Sequence, residues 1–577
     1  MSRWLTELAG FFALLFSWLT GRPYHGAMAG QDNANATRRF IIIQIDGLAH
    51  EYLLQALARG HVPALQRLIA QGYRLQRWRC GLPSSTPAVQ AGLMYGDNWD
   101  IPAFRWYEKD TGLAPHCKSP FFAARIKARA SRGRTGILAG GSSYTNLLDG
   151  DARLALFTLS SMGRQRFFEH LRGLGWALLF ALIPWRIVRI LALSLYELAR
   201  DLVRTLALWV RSGFRRRLTL IQPVLQVLTN VVFGEIQTFG VLLDVFRGVA
   251  RIYVNFYGYD EIAHVDGPLG SEALRALHRI DGYIRQIDHL RRRYAPETEL
   301  YVCSDHGMTP AVPLRQIDPK KPLGQFVAEC VRASVMWDDA GPRTGWGGPE
   351  ADISGDEARW LQDELDGIQA HLSPRSQRLA RSLRRRLDRR LPPAPAEAAD
   401  SYDFARGADV IVRASGNLAH IYFRVSDERM EISEIALLYP DLIDRLNDHP
   451  GIGLALALED GRPVVVTQRG TASLTPDRLP HGLAEPEQTC SDIARLLSYP
   501  HSGDLVLIGA WNTFGRIVTF EEQAATHGGI GGAQEYPFFL TPPEAPLDVS
   551  RVTNATQLYP YFIERFHQSC PKITGQD

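Results

Sequence analysis

The chain has 577 residues, 46% hydrophobic and 22% charged, with a formal net charge of +3. That length exceeds one simple core, and the composition is that of an ordered globular protein, so one large domain with insertions, or two to three domains, is expected. The near-neutral balance gives no global electrostatic case for a nucleic-acid polymer as partner, and none is expected. The six cysteines, none in a C-x-x-C spacing, read as isolated thiols rather than a disulfide framework or a thiolate zinc site.

In chain order, residues 1–38 are expected to be a targeting or anchor segment. The apolar run Leu8 to Leu19 is too short to span a bilayer alone, Arg3 precedes it, and Ala27-Met28-Ala29 has the small-x-small form of a cleavage site. This predicts a membrane-associated or exported protein of the cell envelope. The alternative is an amphipathic N-terminal helix packed on the body, which Glu7 favours, and a cytoplasmic location stays open. Residues 39–163 read as the first part of an α/β catalytic domain. Phe40 to Ile45 is a continuous β-branched run that suits a strand buried on both faces of a parallel sheet, as do Thr135 to Ala139 and, far along the chain, Leu505 to Ile508. Between them, LPSSTPAVQAGLMYG places Ser84, Ser85 and Thr86 on a turn where one hydroxyl is a candidate nucleophile. Tyr144 and Asn146 lie in a glycine-rich loop, with loop-forming roles expected.

Residues 164–249 form an apolar, arginine-rich insert. Leu174 to Ile183 is almost purely apolar and ends at Pro184. The stretch to Val210 carries Arg189, Glu197, Arg200 and Arg204 at helical spacing, which leaves a wide apolar face from Ile187 onward. Arg215, Arg216 and Arg217 precede a second apolar helix pattern through Val245. A helical cap packed on the sheet and an interfacial membrane helix pair are both open readings. Arg186 and Arg189 argue against a spanning helix. The second catalytic part, 250–372, has strand runs at Ile252 to Phe256 and Glu299 to Cys303 around a helix from Ser271 to Tyr294. A basic helix and Pro/Ala-rich linker follow at 373–400. The third part, 401–577, has strands at Asp409 to Arg413, Leu418 to Arg424 and Leu505 to Ile508, with a hairpin at Asp460-Gly461.

Strands alternating with helices imply a mostly parallel central sheet with helices on both faces. Asp46, Asp260 and Asp305 each fall at or just beyond the carboxyl end of a predicted strand, the edge where open α/β sheets place their sites. Asp260 and His264 are four apart, so one helical face presents both. Asp305 and His306 are adjacent and can share an ion only from an irregular turn, which Gly307 permits. His527-Gly528-Gly529 offers an imidazole in a loop able to approach a ligand closely. Three Asp and three His are enough for two ions with open positions. Each fragment alone is a weak signal; their order and flanks together are a strong one.

That order resembles the alkaline phosphatase superfamily, most closely its nucleotide pyrophosphatase/phosphodiesterase branch. The branch shows an acidic residue after the first strand, then a Thr or Ser two residues before a Pro. A D-x-x-x-H pair, an adjacent Asp-His before Gly, and a late His-Gly follow. The resemblance covers roughly Phe40 to Asp151, Ala250 to Thr309 and Gly503 to Pro543. It implies an alkaline-phosphatase-like sandwich and a two-metal phosphohydrolase, in the first place a phosphodiesterase. One ion would be held by Asp46, Asp305 and His306 with the nucleophile's oxygen, and the other by Asp260, His264 and His527. Such ligands suit two divalent ions of the Zn²⁺ type. Register against Pro87 makes Ser85 the nucleophile, acting through a phosphoseryl intermediate. Thr86 is the runner-up, and Ser84 reads as a turn hydroxyl. The branch's phosphate-contacting Asn is replaced near Phe104-Arg105, where Arg105 is a candidate phosphate contact. The implied substrate is a small-molecule or lipid-like phosphoester, with a membrane surface as a further partner. A phosphomonoesterase and a non-catalytic membrane-associated scaffold are the alternatives.

Overall fold

The computed structural model describes residues 38–162, 184–211, 228–317, 319–337, 407–468, 470–511 and 515–567. The expected targeting segment up to residue 37, the Leu174 to Ile183 run and the basic stretch 373–400 lie outside the described residues. No helix among the described residues is long and apolar enough to cross a membrane.

Seven strands make the central sheet: β1 (Arg39–Ile45), β2 (Arg74–Arg77), β3 (Ser142–Tyr144), β4 (Leu154–Leu156), β5 (Arg251–Phe256), β6 (Thr298–Cys303) and β7 (Phe538–Thr541). Their order is β2-β7-β6-β1-β5-β3-β4. β1 pairs in parallel with both β5 and β6, and β3 and β4 continue the parallel run. Only β7 runs against its neighbours. The unbroken apolar run of β1 follows from burial on both faces. Ile41, Ile43 and Ile45 pack against the helices His50–Ala58, Pro63–Ala70, Gly234–Arg247 and Ser271–Tyr294. Phe40 and Ile42 pack on the opposite face against Thr86–Tyr95, Pro120–Ala130 and Tyr559–Phe566. This is the mostly parallel α/β sandwich expected, and the long helix has the predicted bounds, Ser271–Tyr294. The helix Gly234–Arg247 is part of this core through Val241 and Val245.

Two strand expectations are corrected. Thr135 to Ala139 forms turns and one isolated bridge, and the short β3 follows it. The chain is pressed against another loop there: a Cβ on Gly136 would lie 2.2 Å from the Gly150 carbonyl oxygen. Ile137 and Leu138 are thus apolar because they are buried, not because they pair. Leu505–Gly509 is a strand, but in a second seven-stranded sheet, where it runs antiparallel to Leu418–Phe423 and Ile452–Glu459. Leu505 and Leu507 bury in one cluster and Val506 and Ile508 in another. A continuous apolar run reports two covered faces and says nothing of strand direction. The hairpin turn falls at Asp460-Gly461, both with positive φ (49° and 68°), the two-residue geometry that matches strand twist.

The sheets are tied by a buried ion cluster. Arg79, which follows β2, donates to Asp492 at 2.9 Å, Glu535 at 2.6 Å, Thr489 at 3.1 Å and Tyr536 at 3.1 Å. Replacing Arg79 with Met would leave two buried carboxylates without their cation, and we expect a loss of about 3–5 kcal/mol in urea unfolding. His420, also fully buried, donates from Nε2 to the Pro102 carbonyl and accepts the Gly503 N–H at Nδ1, so it is held neutral. Burial pulls its pKa down to about 3 from 6.5. Below pH 6.5 the unfolded chain binds a proton that the folded chain refuses, so stability is full above that pH and falls as pH drops toward 3. His420→Gln should therefore flatten the pH dependence of unfolding free energy by up to about 1.4 kcal/mol per pH unit over that window, read from urea titrations at stepped pH.

Candidate metal centre

Because β5, β1 and β6 are adjacent and parallel, their carboxyl ends lie side by side, and each runs into a site residue. Asp46 follows β1. Asp260 and His264 share one face of the helix Gly258–Asp266 that begins just after β5, and Asp305-His306 follow β6. His527 arrives from the far end of the chain. Ala525–Thr526 pairs antiparallel with Thr309–Pro313, just beyond His306, and this sets the late histidine beside the early ones.

All six predicted ligands meet here. His306 Nε2 lies 3.5 Å from Asp46 Oδ1 and 3.4 Å from Asp305 Oδ2. His264 Nε2 lies 3.3 Å from Asp260 Oδ2, and His527 Nε2 lies 3.8 Å from Asp260 Oδ1. The His306 and His527 rings stack at 3.8 Å between centroids. Asp46, Asp305 and His306 can converge on one ion, as can Asp260, His306 and His527. His306 therefore stands where the two ligand sets meet.

The histidine tautomers are fixed by their outer partners. Nδ1 of His264, His306 and His527 faces the carbonyl oxygens of Ala525, Gly307 and Ser84 respectively, each at 2.9 Å. A carbonyl can only accept, so each Nδ1 carries the hydrogen and each Nε2 turns a lone pair inward. This is how metal-binding imidazoles are commonly oriented. Close packing holds the carboxylates too: Gly47 has φ +74°, and a Cβ there would come within 2.4 Å of Asp260 Oδ1.

The electrostatics call for cations. Burial, then Asp305 and Asp260, raise the pKa of Asp46 well above the carboxylate range. Burial, then Asp260, push Asp305 up to about 7. Burial acts on Asp260 in the same direction but is outweighed by His264, His527 and His306, which hold it low. Burial, then His306, pull His527 down to about 3. Asp260 Oδ1 and Asp305 Oδ2 are buried and accept no hydrogen bond. Three carboxylates and three inward lone pairs around two such oxygens fit divalent ions with nitrogen and oxygen ligands. A third acidic grouping, Glu108, Asp110 and His501, differs in kind. Arg129 lies 2.8 Å from Glu108 and 2.7 Å from Asp100, and Asp100 holds His501 at 2.6 Å.

The three hydroxyls of the turn separate clearly. Ser84 accepts the Gly528 N–H and donates to the Gly529 carbonyl, fastening the turn to the His527 loop. Ser85 occupies the position just before the helix Thr86–Tyr95 but makes no capping bond; its Oγ is buried and finds no hydrogen-bond partner. Thr86, part-exposed at the first helical position, puts Oγ1 3.3 Å from His306 Nε2 and close enough to Asp305 to stabilise that carboxylate. Arg105 is held by Glu521 at 2.6 Å, and Glu521 in turn accepts the Gly416 N–H and acts on His264.

One feature escaped sequence reasoning. Asp46 Oδ2 accepts from Asn255 at 2.8 Å and from Gln44 at 3.4 Å. Gln44 is in turn held by Tyr253 at 2.7 Å and Gln90 at 3.2 Å, and Gln90 donates to Asn146. Asn146 thus has a structural place, as does Tyr144, whose hydroxyl donates to Asp244. The available signal was a polar residue interrupting each apolar strand, Gln44 in β1 and Asn255 in β5.

Three acidic strand ends, three inward histidines and a hydroxyl beside them form a candidate site for divalent ions next to a potential nucleophile, the kind of site that hydrolyses phosphoester bonds. Residues 243–513 match the family described as type I phosphodiesterase / nucleotide pyrophosphatase. A search of the curated proteins found no match. Among solved structures, phosphonoacetate hydrolase from Sinorhizobium meliloti 1021 is 16% identical, over 92% of this chain and 96% of that one, with a TM-score of 0.41. Murine ectonucleotide pyrophosphatase/phosphodiesterase 5 is 11% identical over the same shares, with a TM-score of 0.45 in its complex with AMP. The human counterpart is 9% identical over those shares, with a TM-score of 0.42.

Gly47→Ala should displace the Asp260 carboxylate while leaving the sheet intact. In wild type, Zn²⁺ at a hundred times its dissociation constant should raise unfolding free energy by about 2.7 kcal/mol per site. The variant should lose most of that rise in a thermal-shift titration and bind less metal by elemental analysis.

Proposed function

We propose that the protein is a two-metal phosphodiesterase that works through a covalent intermediate on Thr86. The observation that carries this reading is the position of Thr86 Oγ1, beside His306 Nε2 and the Asp305 carboxyl. Register against Pro87 favours Ser85, but the Ser85 hydroxyl is buried at the helix cap without a partner, whereas Thr86 is open to an incoming phosphate. Diester preference is supported by the family match.

One ion would be held by Asp46, Asp305 and His306, the other by Asp260, His264 and His527. When bound, two Zn²⁺-type ions lower the pKa of a nearby hydroxyl and neutralise charge on the oxygens of an in-line displacement. Thr86 supplies the attacking oxygen: its bond to phosphorus forms as the ester oxygen departs, and water then breaks that bond to free the threonine. The amino end of Thr86–Tyr95 points its backbone dipole toward the phosphoryl group, which favours negative charge there. Asp46 is kept in place by Asn255 and Gln44, and the three histidines by their carbonyls, so the ligands need little rearrangement on binding. Arg105, tied to Glu521, is assigned to positioning the wall beside His264 rather than to contacting phosphate.

With zinc-loaded protein and a chromogenic bis-aryl phosphate, Thr86→Ala should lower kcat by at least about a thousandfold. Ser85→Ala should stay within a few-fold of wild type. Acid quenching during turnover should trap phosphothreonine at position 86, read by mass spectrometry. Phosphoserine at position 85, or an inactive Ser85→Ala beside an active Thr86→Ala, would return the role to Ser85. A wild type that binds no metal and hydrolyses no phosphoester would sink the catalytic reading altogether.

A further inference from the structure

The helix Pro184–Arg211 turns its described charged side chains, Arg189, Glu197 and Arg200, toward the body of the protein. Arg189 lies 3.1 Å from Glu235, a residue fully buried at the start of Gly234–Arg247. Glu197 pairs with Arg279, and Arg200 pairs with Glu272, both on Ser271–Tyr294. The opposite side faces out. Leu191 is 63% exposed, Leu195 69% and Val203 68%, and Val188, Tyr196 and Leu198 join them. Among the side chains described on this helix, every exposed one is uncharged. Surface helices ordinarily bury the apolar stripe and solvate the charges. Here ion pairs hold the helix down, and a contiguous apolar face of the kind that marks an interaction site is left open.

We propose that this face is a bilayer-docking surface and that its occupant is an anionic lipid membrane. Charge complementarity selects that occupant. Arg215, Arg216 and Arg217 follow the helix with no acidic residue between 212 and 227, and Arg164, Arg166 and Arg172 precede it against Glu169 alone. An apolar helix face in a segment that is flanked along the chain by arginine clusters matches acyl chains rimmed by phosphate headgroups. The chain also carries a second apolar run, Leu8 to Leu19, too short to span a bilayer but suited to lie in the same interface. The helix is fastened at the active edge of the sheet. Glu235 and Glu272 sit in the first turns of helices that run back from that edge, into β5 and β6, and Ser271 follows the Asp260–His264 helix by a short turn. Docking would therefore bring the metal centre to the membrane surface, where the phosphodiester substrate would be a lipid headgroup linkage. That last step rests on the catalytic reading; the docking itself does not.

The test is flotation of the full-length protein with vesicles of zwitterionic lipid, with and without 30 mol% phosphatidylserine or phosphatidylglycerol, comparing wild type with Leu191→Glu/Leu195→Glu. Wild type should float with the anionic vesicles. The double variant should bind at least tenfold more weakly, with unchanged turnover of the soluble bis-aryl phosphate and an unchanged circular dichroism spectrum. Leu191→Phe/Leu195→Phe should float like wild type. Flotation of the glutamate variant at the wild-type level would overturn the proposal and assign binding to another segment. So would a wild type that ignores vesicles, or one that light scattering finds as a dimer split by the same glutamates without vesicle binding. If vesicles bind but no phosphoester is hydrolysed, the docking stands and the catalytic reading fails.

Discussion

Three carboxylates converge at the ends of three neighbouring strands, in a buried space, with no Lys or Arg among them in the described residues. This mutual repulsion is the constraint around which the rest of the molecule is organised. Burial drives Asp46 and Asp305 toward protonation, and Asp260 stays low only by drawing on nearby imidazoles. Such an arrangement is costly for a chain to hold alone and is relieved by divalent cations. The fold keeps it in place by removing alternatives. Asp260 Oδ1 fills the space that a Cβ on Gly47 would need, and carbonyls facing the three Nδ1 atoms keep the histidine lone pairs turned inward.

The second sheet takes part in this restraint. Arg79 joins the segment after β2 to the helix Pro486–Leu497 and to Glu535, and Ser84 joins the Ser84–Thr86 turn to the His527 loop. A buried arginine shared between two carboxylates and a hydroxyl paired with backbone are directional, so they set positions that apolar packing alone leaves loose. The hydroxyl of Thr86 is thereby held against His306 before any substrate arrives. The helix Pro184–Arg211 uses ion pairs to a different end: Arg189, Glu197 and Arg200 turn toward the body while the described apolar side chains face outward.

Much of the site was legible in the chain because its chemistry depends on local signals. Apolar β-branched runs followed at once by Asp46 or Asp305 marked strand ends, and the four-residue spacing of Asp260 and His264 marked one helical face. The hairpin at Asp460-Gly461 was legible because positive φ at both positions selects for such residues. Strand partners were not legible. The Leu505 run is as apolar as Phe40 to Ile45, yet it lies in an antiparallel sheet, because apolar continuity measures covered faces only. Nor could register against a single proline separate two adjacent hydroxyls, since one residue along the helix start rotates a side chain from the buried cap to the open site. The network beneath Asp46 escaped for a related reason: Gln44, Gln90 and Asn146 become neighbours only once three segments are packed.

The sequence by itself determined the six candidate ligand residues, the alternating α/β order and the ambivalent character of the arginine-rich segment, all properties of residue type and short spacing. Tertiary structure decided which hydroxyl meets His306, how the imidazoles are turned, and which face of the 184–211 helix is outermost. Those outcomes depend on partners distant in the chain: the Asp305 carboxyl for Thr86, the Ser84 carbonyl for His527, and Glu235, Glu272 and Arg279 for the helix. A helix's periodicity fixes that it has two faces, but only the charges waiting on the body decide which of them turns inward.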